Sequence, residues 1–247
     1  MVNKRLVELR AVIRRNGSVV MKTLIENHNA SICIICGSLD ELTKEHVIPK
    51  WVFENDQTKY FNITLNGAAQ SYTKTTLPTC RNCNNNLLGS LENYIERLFY
   101  SKNFIDDYFS LDEQNKIVLW LEFIDYKMQL IDFRRKFNKP KDGIYIPYLA
   151  KFPVAILQRI DDSPAKIIAD LRKSYRRLSI THKHKHHNSL LIFKTSNESF
   201  HFFHKNTELI FLEIPRYEIA LFMHLKEIFL THQDAHDKAH RIMKKVY

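Results

Sequence analysis

The sequence predicts an α+β protein, and three observations predict it. Apolar residues recur at helical spacing near the N-terminus and through the middle of the chain. A polar stretch rich in Asn and Thr lies at 31–86 between two cysteine pairs. The last third alternates helical patterns with β-prone apolar runs, as α+β folds do. These features divide the 247 residues into an N-terminal helical segment (1–30), a cysteine-bracketed module (31–100) and an α+β C-terminal region (101–247).

Val2, Leu6, Leu9 and Ile13 define an amphipathic helix over 2–14. Gly17 is expected to end it, with a second short helix over 19–28. Within 31–86 the β-prone pieces are short, such as 61–65. A helix is expected from near Asn86, burying Leu87, Leu88, Leu91, Tyr94, Ile95, Leu98 and Phe99. Another begins at Ser110-Leu111-Asp112-Glu113, a capping-box pattern, and runs to about Lys136 before Lys139-Pro140 stops it. Its apolar residues occupy more than one face, as in a central core helix. Ser163-Pro164 reads as an N-cap followed by proline at the first helical position, and Ile167, Ile168, Leu171 and Tyr175 continue that helix. Strands are expected at 190–195, 199–204 and 208–214, and a final helix over the last dozen residues.

Composition narrows the function classes. A hydrophobic content of 45% supports a packed core, and 5 glycines and 7 prolines argue against long flexible linkers. No apolar run approaches the ~18–20 residues of a membrane helix. The first ten residues carry a charge every few positions, unlike a secretory signal, so the expected location is the cytoplasm. The formal net charge of +10 favours a polyanionic partner, nucleic acid before membrane.

All 4 cysteines fall in two C-x-x-C pairs, Cys33 with Cys36 and Cys80 with Cys83. In a reducing compartment such pairs hold zinc more often than they form disulfides, because soft thiolates suit a closed tetrahedral shell. The gap from Gly37 to Thr79 exceeds the ~15–20 residues of a compact zinc ribbon, so the knuckles bracket an inserted element. A reduced cluster without metal and a redox pair are the other readings.

Between the knuckles stands Lys44-Glu45-His46-Val47-Ile48-Pro49-Lys50-Trp51, and Asn84 follows Cys83 directly. This order resembles the HNH endonuclease family, and within it a bacterial branch with C-x-x-C knuckles and a C-x-x-C-N ending. The likeness covers about residues 31–95. It implies a ββα-metal module held by structural Zn²⁺, with the catalytic histidine on a hairpin and the last metal ligand at a helix start. His46 then takes the general-base role, which suits an imidazole of ordinary pKa near ~6.5. Glu45 and Asn84 supply oxygen ligands for a catalytic Mg²⁺ or Mn²⁺. The implied reaction is phosphodiester hydrolysis leaving 5′-phosphate and 3′-hydroxyl ends. Neighbours on a strand face opposite ways, so Glu45 and His46 address one phosphate only where the strand bends, and Pro49 is consistent with a bend.

The chain departs from the family pattern at two places. The slot usually held by a second Asn, which props the histidine loop, falls on Thr75 or Thr76, with Asn66 as an alternative prop. The acid before the histidine is Glu45, one methylene longer than the usual Asp. Glu92, two helical turns past Asn84, is either an anchor for Lys44 or a water, or a solvated helix carboxylate.

Lys44 and Arg81 are placed to neutralise neighbouring phosphates. A second basic surface is expected beyond the module. Residues 165–187 hold seven lysines and arginines against a single acid, Asp170, a formal +6 of the chain's +10. Arg172 with Arg176, and Lys173 with Arg177, are i, i+4 pairs on one helix surface, followed by the His-rich run His182 to His187. His232, His236 and His240 share a helix face that reads as solvated before it reads as a metal site. The expectation is a metal-dependent endonuclease acting on DNA, and an anti-phage role is compatible by association. An RNA-cutting effector nuclease and a non-catalytic zinc-knuckle nucleic-acid-binding protein are the alternatives. The sequence leaves open a homo-oligomer or a partner protein.

Overall fold

The computed structural model describes residues 2–53, 60–62, 69–71, 75–102, 109–137, 163–180, 188–198, 200–205 and 207–246. The apolar stripe that starts at Val2 does not end at Gly17. One helix, α1, runs Val2–Glu26 and buries Leu6, Leu9, Ile13, Val20, Met21 and Leu24. Gly17 is a point of close approach: a Cβ there would lie 3.0 Å from Cε1 of Tyr175. Close packing, not termination, explains the glycine, and the two-helix expectation is corrected accordingly.

The cysteine-bracketed module is built on a hairpin of β1 (Leu42–His46) and β4 (Thr76–Cys80), paired antiparallel from Leu42 opposite Cys80 to His46 opposite Thr76. The short strands β2 (Tyr60–Asn62) and β3 (Ala69–Ser71) pair in the insertion between them. Asn66 and the expected stop at Lys139-Pro140 lie outside the described residues. The following helix begins five residues before Asn86, at Arg81. It opens as a wide π-type segment, Asn82–Leu88, and continues as α2, Gly89–Ser101. Gly89 N–H donates to Asn84 O, and a Cβ on Gly89 would approach that oxygen to 3.1 Å. The glycine therefore permits the wide turn.

Helix α3 (Leu111–Phe137) starts with the expected capping box: Ser110 N–H donates to Glu113 Oε2 at 2.7 Å, and Glu113 N–H to Ser110 Oγ at 3.3 Å. Every residue from Lys116 to Leu130 is buried, so α3 is the central helix its pattern predicts. Helix α4 (Pro164–Leu178) is capped by Ser163 Oγ, which accepts from Lys166 N–H at 3.2 Å.

An antiparallel four-stranded sheet follows, in the order β5 (Leu190–Lys194), β8 (Ile219–His224), β7 (Leu209–Ile214), β6 (Phe202–Lys205). Sequence patterning did not assign β8. Its run Ile219-Ala220-Leu221-Phe222-Met223-His224 is buried at every position and lacks the alternation that marks a half-exposed strand. The alternation is there in space: Ile210, Leu212, Ile219 and Leu221 face the main core, while Leu209, Phe211, Ala220 and Phe222 face Ala235 and Ala239. Those alanines belong to α5 (His232–Val246), the final helix. No helix among the described residues is long and apolar enough to cross a membrane.

Candidate functional site

Four thiols converge at the base of the hairpin. Cys33 and Cys36 lie in a turn whose left-handed residue is Gly37 (φ 78°), closed by Gly37 N–H to Cys33 O at 2.9 Å and Cys33 N–H to Ser38 O at 2.8 Å. Cys80 ends β4 and Cys83 lies one turn into the following helix. Two tyrosines from distant helices hold the first knuckle. Tyr126 of α3 donates to Ile34 O and Tyr175 of α4 donates to Ile35 O, each at 2.8 Å. The four Sγ atoms lie within 4.8 Å of one another, and Cys36 Sγ is 3.7 Å from Cys80 Sγ. A tetrahedral site with metal–sulfur bonds of about 2.3 Å has sulfur–sulfur edges of about 3.8 Å, so the cluster has the size to hold a metal ion.

The crowding also polarises the thiols. A hydrogen bond from Cys83 holds Cys33 down at about 5, against the effect of burial. Burial pushes Cys36 up to about 12, and the same Cys33 interaction, with burial, drives Cys83 well above its usual range. A lowered Cys33 beside raised Cys36 and Cys83 is a pattern that a bound metal would replace, since it takes thiolates and displaces their protons. Among the described residues this is the only group of His, Cys, Asp and Glu side chains gathered closely enough for an ion. His232, His236 and His240 lie exposed on α5, and the run His182 to His187 falls outside the described residues.

Beside the cluster lies a cleft of about 460 Å³. Lys44, Glu45 and His46 of β1 line one wall, with Pro49, Lys50 and Trp51 of the turn that follows. Asn84, Glu92 and Glu96 of the helix line the other. The structure thus brings His46, Glu45, Asn84, Glu92 and Lys44 to one place. The turn after His46 is pinned by Trp51, whose ring stacks on Trp120 at 5.5 Å and meets Tyr217 at 6.1 Å. Asn84 Nδ2 donates to Thr43 Oγ1 at 2.8 Å, and Thr43 in turn donates to Thr79 O at 2.7 Å. This tether fixes Asn84 against β1 and leaves its amide oxygen for another partner.

Thr75 and Thr76, at the slot where the HNH resemblance expects an Asn, meet the His46 strand through the backbone. Thr76 pairs with His46 in the hairpin, and Thr75 O accepts from Val47 N–H at 3.1 Å. Arg81 is exposed at the helix start and does not line the cleft.

Glu45 is 5% exposed and turned toward α3, where Lys127 Nζ lies 2.5 Å from its Oε1. The same ammonium donates to His46 O at 2.8 Å and reaches Glu92 Oε1 at 3.5 Å. Glu92 therefore partners Lys127, a role outside the alternatives the sequence offered, an anchor for Lys44 or a water, or a solvated carboxylate. Burial lifts the Glu92 carboxyl to about 7, with Lys127 opposing the rise and Glu45 adding to it. Burial disfavours the Lys127 ammonium, yet the two carboxylates outweigh it and raise its pKa above the ordinary value. Sequence reasoning missed Lys127. The available signal was the pattern of α3 itself: a helix apolar all round gives Glu122, Asp125 and Lys127 no water and so demands partners for them.

On α4, Arg172, Lys173 and Arg176 are exposed as expected. Arg177 is not on that surface. It is buried, with Nη1 3.0 Å from Asp125 Oδ2, and His204 Nε2 lies 2.7 Å from the other oxygen of the same carboxylate. Helical spacing alone put Arg177 beside Lys173, but the wide apolar face of α4 against α3 takes it inside. No protein-family model matches the chain, and no curated protein or solved structure matches it.

Proposed function

We propose that the protein is a metal-dependent endonuclease of the HNH type, hydrolysing phosphodiester bonds in DNA, with a structural zinc ion in the Cys33, Cys36, Cys80 and Cys83 cluster. The observation that carries this reading is the convergence of His46 and Asn84, from a hairpin and the helix after it, on one cleft beside four clustered thiols. Four sulfurs form a closed shell for zinc, with no open position for chemistry. The cleft is lined by oxygen donors, the amide of Asn84 and the carboxylates of Glu45, Glu92 and Glu96, and a hard cation such as Mg²⁺ or Mn²⁺ would take Asn84 with those carboxylates it draws together. Such a cation supplies charge neutralisation on the phosphoryl oxygens.

The chain's own residues do the rest. His46 takes a proton from water as the water oxygen bonds to phosphorus. The P–O3′ bond breaks, the departing O3′ takes a proton from solvent, and the products carry a 5′-phosphate and a 3′-hydroxyl. Exposed Lys44 at the rim and the Arg172, Lys173 and Arg176 strip hold neighbouring phosphates. The net charge of +10 supports a nucleic-acid substrate. A second reading, a nucleic-acid-binding module without catalysis, is favoured by the engagement of Glu45 with Lys127, which takes one carboxylate oxygen from any incoming cation.

The test is incubation of the purified protein with supercoiled plasmid and with structured RNA, each with Mg²⁺, Mn²⁺ or EDTA. The proposal expects metal-dependent nicking and linearisation of the plasmid. Cutting of RNA alone selects an RNA-directed nuclease, and binding without cutting selects the module.

A further inference from the structure

We infer that Lys127 is the positioning residue of the His46 site, an inference that rests on the nuclease reading above. The ammonium gathers oxygens from three sources: Glu45 Oε1 at 2.5 Å, His46 O at 2.8 Å and Glu92 Oε1 at 3.5 Å. Its side chain is 1% exposed, so it does not touch a substrate in the cleft. What it controls is the peptide unit between His46 and Val47. The carbonyl of that unit accepts from Lys127, and its N–H donates to Thr75 O at 3.1 Å.

A peptide group is planar, so holding both ends fixes the plane. That sets the backbone torsion at His46 and the direction in which its side chain leaves the strand. Val47 and Ile48, both buried, anchor the chain immediately beyond. Glu45 is buried against α3 while His46, next to it on β1, lines the cleft, so the strand needs a stable seat for the Glu45 carboxylate. Lys127 is that seat. It lies on α3, outside the cysteine-bracketed module, and makes the geometry of His46 depend on how α3 packs. Electrostatics reinforces the arrangement: without the ammonium, Glu45 would be a buried carboxylate lacking its counter-ion.

Lys127→Met tests this, beside the double variant Glu45→Gln/Lys127→Met, which removes the buried Lys127–Glu45 pair whole and leaves Glu92 in place. Four quantities are read: metal content, nucleic-acid affinity, kcat, and the imidazole resonances of His46 in nitrogen-resolved NMR. Lys127→Met is expected to keep its metal and bind nucleic acid within about twofold, while kcat falls about 10–100-fold, the usual loss when an outer-shell partner is removed. The His46 ring signals are expected to shift or double. If kcat and the ring signals both match the wild type, the inference is overturned. Should Lys127→Met fail to fold, the double variant supplies the test, because removing a buried pair whole is far less damaging than removing one member. A wild-type rate and spectrum in the double variant overturn the inference equally. If the wild-type protein cuts neither DNA nor RNA, the nuclease reading falls, and the ring signals still decide the role of Lys127.

Discussion

Glu92 shows how much a single side chain depends on what roofs it. Desolvation at the cleft wall pushes its carboxyl up to about 7 from 4.5, with Lys127 opposing the rise. The folded state therefore binds a proton that the unfolded chain has already lost, and stability falls as pH rises from about 4.5 to about 7. Glu92→Gln removes this dependence. Thermal melts across that window should show the variant gaining on the wild type as pH rises, with the difference levelling off above about 7. A pH-independent difference would mean that Glu92 is ionised throughout. At this scale the sequence was informative about which residue types sit together, and much less about which way they face. The pairs Cys33/Cys36 and Cys80/Cys83 were legible because a thiol cluster follows from short local spacing, whereas His46 and Asn84 were singled out by resemblance to a motif and the structure brings them to one cleft. The partners of Glu45, Glu92 and Arg177 come from α3, 35 to 82 residues away, and no local pattern names them.

At the scale of elements, local signals were read best. The Ser110 capping box and the Ser163-Pro164 cap appear as expected because each is closed by side chains within three residues. Gly17 misled because the same residue serves helix ends and close packing. Alanine in an exposed helix interior gains ~1 kcal/mol over glycine. At Gly17 a methyl would meet the Tyr175 ring at 3.0 Å, and overpacking of this kind costs ~1–3 kcal/mol. Gly17→Ala is thus expected to lower the denaturation midpoint, and to lower it less when introduced into Tyr175→Leu, a variant with its own cost because it loses the bond to Ile35 O. A gain in stability from Gly17→Ala alone would show that the ring moves aside freely.

Helix α4 divides its basic residues by face. Replacing Arg172, Lys173 and Arg176 with Gln should weaken nucleic-acid binding similarly across sequences. It should also flatten the slope of log affinity against log salt by about one unit for each phosphate no longer neutralised, with the melting temperature nearly unchanged. Arg177→Gln should do the reverse. It leaves the buried Asp125 with His204 and Gln129 but without its guanidinium partner and is expected to cost up to ~3–5 kcal/mol of stability, read by denaturant titration, with little direct effect on the salt slope.

On the scale of the whole molecule, one core runs from Leu6 of α1 to Leu225 beyond β8, and the cysteine cluster is part of its packing. The sequence revealed the α+β class and the helical framework through periodicity, while the sheet order and the seat of α3 under the hairpin depend on long-range pairing. Tyr126 and Tyr175 tie the first knuckle to α3 and α4, so metal loss should reach beyond the module. Metal analysis is expected to find about one zinc per chain, and Cys80→Ser to lose it together with cooperative thermal unfolding. Well-folded, reduced protein free of zinc would contradict the structural-zinc proposal.

The central claim is that His46 is the base of a phosphodiester-cleaving site, and it is tested most directly by the single-turnover cleavage rate of His46→Ala on plasmid DNA beside the wild type, with matched zinc content and matched DNA affinity. The expected result is a loss of about 10²–10⁴-fold in rate, the usual contribution of a general base, with binding intact. Cleavage by His46→Ala at the wild-type rate would contradict it.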